Sequence, residues 1–300
     1  MTAAPPHWTT IDWSAHTHSA VVSGRTVSYV DYGAGDTVVL VHGLGGSWQS
    51  WLENIPALGA RYRVIALDLA GFGLSDPLPH ESDMTAHVET VTGLLDSLAL
   101  DDAMVVGHSL GGLVTLCVAM WRPDRVRAVA LVSGGGIPLS AARLALILQG
   151  FRLFSLLIHL PGVASRVARH AVLRRVLLGP ALGDWRSMSP ELARIAIPLM
   201  AAPGFVSTAR IGAAALAAVD PRLVRAQTLM IWGENDRILP VHSARAMVRQ
   251  MPDAQLVELP GIGHCAMFEV PDEVNRLLLE FLDQHAHESV DERHRDERTG

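Results

Sequence analysis

The sequence predicts an α/β fold: a doubly wound, mostly parallel sheet with an inserted helical cap. Three observations predict it. Short, unbroken apolar runs recur along the chain, as expected of parallel strands covered on both faces. Helix-length segments alternate with those runs. The alternation lapses once, between residues 137 and 222, where helical periodicity and scattered Pro and Gly leave no strand pattern.

The first element is a hairpin, because two β-rich runs between Ala20 and Tyr32 flank Ser23-Gly24. Strands then follow at Thr37–Val41, Val64–Leu67, Ala103–Val106, Ala128–Val132 and Thr228–Trp232, with a last one at Ala254–Leu259. Helices are expected at His87–Leu98, Leu110–Met120, Ser243–Gln250 and Glu273–Gln284. Residues 1–136 and 223–284 therefore form the core, and residues 137–222 a cap or lid. Its insertion between two strands places it over the carboxyl edge of the sheet, where open α/β sheets bind ligands. Within it, Leu144 to Val163 is interrupted by Gln149, Arg152 and His159 and holds Gly150, so it falls short of an uninterrupted membrane span and reads as an amphipathic helix. The tail, residues 285–300, mixes charges with almost no apolar residue and is expected to be disordered.

Three hundred residues, 49% of them hydrophobic, can bury a full core. A net charge of −6 without any basic run argues against a nucleic-acid partner. Cys117 and Cys265 are the only cysteines, which gives neither a disulfide framework nor a zinc cluster and fits a reducing compartment. The start, MTAAPPHWTTIDW, lacks the features of a secretory signal, so cytoplasmic residence is the expectation. The oligomeric state is left open.

Gly107-His108-Ser109-Leu110-Gly111 matches the nucleophile-elbow pattern, in which a serine sits on a tight turn with its hydroxyl exposed above the sheet. The five residues alone recur easily by chance. Their setting carries the reading, since Ala103-Met104-Val105-Val106 precedes them as a strand and a helical stretch follows. A serine needs an adjacent base, and the base needs a group that fixes its tautomer. Asp236 follows the strand ending in Trp232, and His264 follows the last strand, so both should emerge at the carboxyl edge near Ser109. Of fourteen histidines, His242 is the nearest rival base, but it would begin a helix pointing away. Glu234 is the rival acid, and Ser133-Gly134-Gly135-Gly136 offers no carboxylate at the other known position. The oxyanion would be met by the backbone N–H groups of Leu110 and, from the turn His42-Gly43-Leu44-Gly45-Gly46, of Leu44. That turn matches neither the dinucleotide fingerprint nor a P-loop, and the chain has no Lys to complete the latter. Cys265 is a weak rival nucleophile, because it would need its own base and turn.

These motifs, with Leu67-Asp68-Leu69-Ala70-Gly71-Phe72-Gly73-Leu74-Ser75-Asp76, together resemble the α/β-hydrolase superfamily over roughly Val22 to Asp283. The resemblance is specific for fold and much less so for substrate. Asp68 and Asp76 are expected to shape the turn after their strand. Epoxide hydrolases and haloalkane dehalogenases use a carboxylate where this chain has Ser109. Hydrolases of ring-cleavage products commonly carry Asn before the serine, where this chain has His108.

The expected activity is hydrolysis of carboxylic esters, lactones or thioesters through an acyl-enzyme on Ser109, with a small-molecule, ester-like partner. Apolar cap residues such as Leu144, Leu148, Phe151 and Phe154 favour small to medium apolar substrates. No metal or organic cofactor is needed for this chemistry. The alternatives are carbon–carbon hydrolysis of ring-cleavage products, ligand binding without turnover, and a protein docked peripherally on a membrane through the helices of Leu144–Val163.

Overall fold

The computed structural model describes residues 8–136, 139–179, 181–184, 186–251 and 253–286. Eight strands, β1 Thr17–Val22, β2 Arg25–Gly33, β3 Thr37–Val41, β4 Arg63–Leu67, β5 Ala103–His108, β6 Val126–Val132, β7 Gln227–Gly233 and β8 Ala254–Leu259, form one sheet in the order β1-β2-β4-β3-β5-β6-β7-β8. Strand β2 runs antiparallel to β1 and β4, and every other pairing is parallel.

The continuous apolar runs have a direct cause. Every residue of β3, β5 and β6 is buried, and alternate residues go to opposite sides. Val39, Val41, Ile65, Leu67 and Val105 join one core cluster with α2 Met84–Ser97, α3 Leu110–Trp121 and α9 Val241–Val248. Val38, Leu40, Val64, Ala66 and Val106 join a second with α1 Ile55–Gly59, α10 Ala266–Glu269 and α11 Pro271–His285. Helices thus cover both faces, and a strand that is polar on neither face is what the sequence needs.

Strands β4 and β5 lie on either side of β3, so the winding direction reverses there. Open α/β sheets bind ligands at the carboxyl ends of the strands beside such a reversal. The turn after β3 carries His42-Gly43-Leu44, and the turn after β5 carries Ser109.

Between β6 and β7 lie the helices α4 Ala141–Ile158, α5 Val163–Arg169, α6 Ala171–Leu178, α7 Pro190–Leu199 and α8 Phe205–Ala215, with no strand among the described residues. Several ties join this segment to the rest, among them the Arg143 guanidinium donating to the Arg237 carbonyl, the Gly204 amide donating to Gly71 O (2.9 Å), and the His264 amide donating to Ala181 O (2.8 Å).

The helix expected from Leu144 needs correction. Helix α4 ends at Ile158, a turn at His159–Gly162 intervenes, and α5 begins at Val163. The helix is apolar on two opposite faces, where amphipathic character was expected. Contrary to the sequence reading, α4 is long and apolar enough to cross a membrane by length and composition alone; only 11% of it is buried. The predicted tail from His285 lies outside the described residues except for His285, which ends α11, and Ala286.

Candidate active site

Ser109 sits between β5 and α3 with φ 50° and ψ −116°, a conformation that a side-chain-bearing residue adopts only at a cost of about 1–3 kcal/mol. The flanking glycines make the turn possible. A Cβ on Gly107 would lie 2.4 Å from Thr115 Oγ1, and one on Gly111 would lie 2.3 Å from the Val41 carbonyl oxygen. The turn is held by the Ser109 carbonyl, which accepts from the amides of Gly112 (3.0 Å) and Gly135 (2.6 Å). The carboxylate-free segment after β6 therefore supports the elbow from below.

His264 Nε2 lies 2.9 Å from Ser109 Oγ, and His264 Nδ1 lies 2.7 Å from Asp236 Oδ2. The Asp236 and His264 side chains are almost wholly buried. The second Asp236 oxygen accepts from the amides of Ile238 (2.9 Å) and Leu239 (2.8 Å), so the carboxylate cannot rotate away from the imidazole. This geometry places Nδ1–H toward Asp236 and leaves Nε2 as an acceptor for the serine proton. Glu234 and His242, the rival acid and base, are both exposed. Cys265 faces a cavity beside His108, but burial pushes its thiol well above the ordinary range, which disfavours a thiolate.

Leu44 and Leu110 line the cavity into which Ser109 opens. The Leu110 amide opens α3, where a helix has no internal acceptor for it. The Leu44 turn is braced by His42, whose Nδ1 donates to Gly43 O (2.8 Å) while its Nε2 accepts from the Leu69 amide (2.9 Å). That pair of bonds needs a neutral ring, and burial lowers the His42 pKa to about 4. Asp68 bridges the Trp48 amide (2.8 Å) and the Leu74 amide (3.0 Å), and Asp76 accepts from the Thr26 amide (2.7 Å), so both shape turns as expected.

Two supports were not foreseen. His108, displaced far toward its neutral form by burial and by the nearby His264, has Nε2 3.1 Å from the His264 carbonyl and donates to it. Glu269 accepts from the amides of Gly263 (3.0 Å), Gly183 (2.8 Å) and Asp184 (3.0 Å). It thus ties the turn carrying His264 to the segment between α6 and α7. Backbone packs on backbone there, since a Cβ on Gly263 would lie 2.2 Å from the Gly183 amide nitrogen. The sequence offered one faint signal for this, a carboxylate five residues after the candidate base.

Two cavities meet near Ser109. One, of about 590 Å³ with its mouth, is lined by Leu113, Leu144, Ile147, Leu148, Phe151 and Leu216 besides Leu44 and Ser109. The other, of about 560 Å³, runs past Gly43, His108 and Cys265 to Leu182, Met188 and Met200. Neither lining contains an Asp, Glu or Arg among the described residues. Phe154 lies outside both linings and packs within the cap, its ring tilted against Phe205 at 5.8 Å between ring centres. No group of described residues is arranged to hold a metal ion.

A family model described as alpha/beta hydrolase fold matches residues 36–271. The chain is 34% identical over 275 residues, 89% of this chain and 69% of the other, to a dihydrolipoyllysine-residue acetyltransferase component of an acetoin cleaving system from Pseudomonas putida. It is 32% identical over 265 residues, 84% of this chain and 89% of the other, to a 2-hydroxy-6-oxo-6-phenylhexa-2,4-dienoate hydrolase from Burkholderia cepacia. Among solved structures, a meta-cleavage product hydrolase aligns with TM-score 0.72 and 27% identity over 89% of this chain and 98% of the other. A thermophilic esterase from Thermogutta terrifontis aligns with TM-score 0.72 and 25% identity over 90% and 99%.

Proposed function

Since the chain belongs to the α/β-hydrolase family and is a hydrolase by that membership, we propose that it is a serine hydrolase in which Ser109 is the nucleophile, His264 the base and Asp236 the group that orients the base. The observation that carries this reading is the unbroken series Ser109 Oγ, His264 Nε2, His264 Nδ1, Asp236 Oδ2, with contacts of 2.9 and 2.7 Å, at the mouth of apolar cavities.

In this mechanism His264 takes the hydroxyl proton as Ser109 attacks a carbonyl carbon. Negative charge gathers on the carbonyl oxygen and is met by the Leu44 and Leu110 amides, each worth roughly a hundredfold or more in rate. His264 then gives its proton to the leaving group, and an acyl-enzyme remains. Water, deprotonated by the same imidazole, releases the acid.

Two substrate classes fit this chemistry, and different observations favour each. The names of the relatives support carbon–carbon hydrolysis better than ester hydrolysis, since the Burkholderia cepacia protein and the meta-cleavage structure are both hydrolases of ring-cleavage products. The cavities favour uncharged esters, lactones or thioesters. A dienoate carries a carboxylate, and burying one without a cation or several donors costs several kcal/mol. The linings described offer no such cation.

The deciding experiment compares p-nitrophenyl esters from acetate to decanoate with a 2-hydroxy-6-oxo-dienoate, using the intact protein and Ser109→Ala. Ester turnover that falls by about 10⁴-fold or more in the variant is expected. Dienoate cleavage with inert esters would establish the carbon–carbon reading. Inertness toward both, with no fluorophosphonate label on Ser109 of a folded protein, would leave ligand binding.

A further inference from the structure

The cap carries a charge opposite to that of the chain as a whole. Between Asp124 and Asp184 the sequence has no acidic residue, while α4 to α6 hold Arg143, Arg152, Arg166, Arg169, Arg174 and Arg175 in a protein of net charge −6. Elsewhere Arg63, Arg125, Arg127, Arg245 and Arg276 each meet a carboxylate, but none of these six does among the described residues. Arg143 and Arg174 are turned to backbone carbonyls, whereas Arg152, Arg166 and Arg175 are exposed, as is Arg169, whose Nε also donates to the Ser165 carbonyl (3.1 Å).

The same helices expose apolar side chains in a stripe. Leu146, Leu153 and Leu156, exposed by 66%, 59% and 66%, fall within an arc of about 80° on α4. Val172 and Val176, exposed by 71% and 70%, share one face of α6. The opposite face of α4 lines the Ser109 cavity with Leu144, Ile147, Leu148 and Phe151. A helix with leucine on its outer side and arginine at its margins has the composition of one that lies in a lipid interface.

We propose that the outer surface of α4 to α6 docks on the surface of an anionic lipid bilayer, with the leucine stripe entering the acyl boundary and the four exposed arginines meeting lipid phosphates. Charge selects this occupant. A second copy of the chain would bring the same arginines against themselves, and a purely apolar partner would leave them unpaired. Docking stands independently of the proposed reaction. The consequence that a membrane-dissolved substrate would reach Ser109 across the thickness of one helix rests on the hydrolase reading.

The test is flotation of the full chain with phosphatidylcholine vesicles, with and without phosphatidylglycerol, at low and high salt. Binding is expected only with phosphatidylglycerol, and it should weaken as salt screens the charge. The triple variant Arg152→Gln/Arg166→Gln/Arg175→Gln should lose about fivefold in vesicle affinity for each arginine removed. Leu146→Ser/Leu153→Ser/Leu156→Ser should abolish binding. Neither set lines the Ser109 cavity, so fluorophosphonate labelling of Ser109 should be unchanged in both, which separates failure of docking from failure of the hydrolase reading. Equal binding to both vesicle types, or to neither, would overturn the proposal. So would a dimer in solution that the leucine variant dissolves.

Discussion

At the scale of single residues, the candidate site depends on groups outside the lining of the Ser109 cavity. Glu269 accepts three backbone N–H groups, two from the segment after α6 and one from Gly263, next to the proposed base. Glu269→Gln turns an N–H of its own toward at least one of those donors, so a stability loss of about 1–3 kcal/mol is expected in urea unfolding. As a positioning residue it should also lower kcat more than it raises KM, and Glu269→Asp should recover neither fully because its carboxylate falls short. A KM effect alone would assign it to substrate binding instead. Ser109, Asp236 and His264 were legible in the sequence because each follows an apolar run and the turn types around them are distinctive. Glu269 and His108 were not, because their work is to accept and donate across contacts formed only after β5, β8 and the cap have come together.

At the scale of elements, the inner strands β3 to β7 were readable because burial on both faces leaves an apolar run, whereas the half-exposed edge strands β1 and β8 were read from their β-rich composition. The short α1 and α10 were missed, since four or five residues hold too little periodicity to be seen. The two-faced character of α4 was missed for a different reason. An exposed apolar stripe contradicts the rule by which helix faces are read, and composition alone does not say which leucines face out. The elbow and α4 make opposite predictions for one chemical change. Gly111→Ala drives a methyl group into the Val41 and His42 carbonyl oxygens, at 2.3 and 2.5 Å, and should cost about 1–3 kcal/mol or more. Gly150→Ala, in mid-helix with nothing within 4 Å, should stabilise by about 0.5–1 kcal/mol. Urea midpoints moving in opposite directions at constant slope would confirm both; a neutral Gly111→Ala would refute the tight packing of the turn.

At the scale of the whole molecule, stability should decline on mild acidification. Burial holds His42 and His87 at about 4, and His108 is also well below its ordinary value, so these rings stay neutral in the folded chain while the unfolded chain protonates them near 6.5. Their contribution is complete above about pH 6.5 and is lost as pH falls toward about 4. Asp68, raised to about 6, and Glu269, also raised by burial, act in the opposite sense, since each is easier to protonate when folded. Three histidines outweigh two carboxylates, and unfolding between pH 6.5 and 5 should therefore take up protons. Stability that is flat or rising over that interval would show that the rings are hydrated in solution. The tie of Ala181 and Gly183 to the turn of His264 has a further consequence for how the protein would be inactivated. Arg186 is exposed just beyond that tie. A single tryptic cut there would leave the sheet and the first core cluster intact and would nick the second only at its margin, between Leu182 and Met188, so the clipped protein should melt close to the uncut one. Hydrolase activity should be lost all the same, because the imidazole would no longer be suspended from both sides; a clipped protein that kept full activity would show that the core alone holds the proposed base in place.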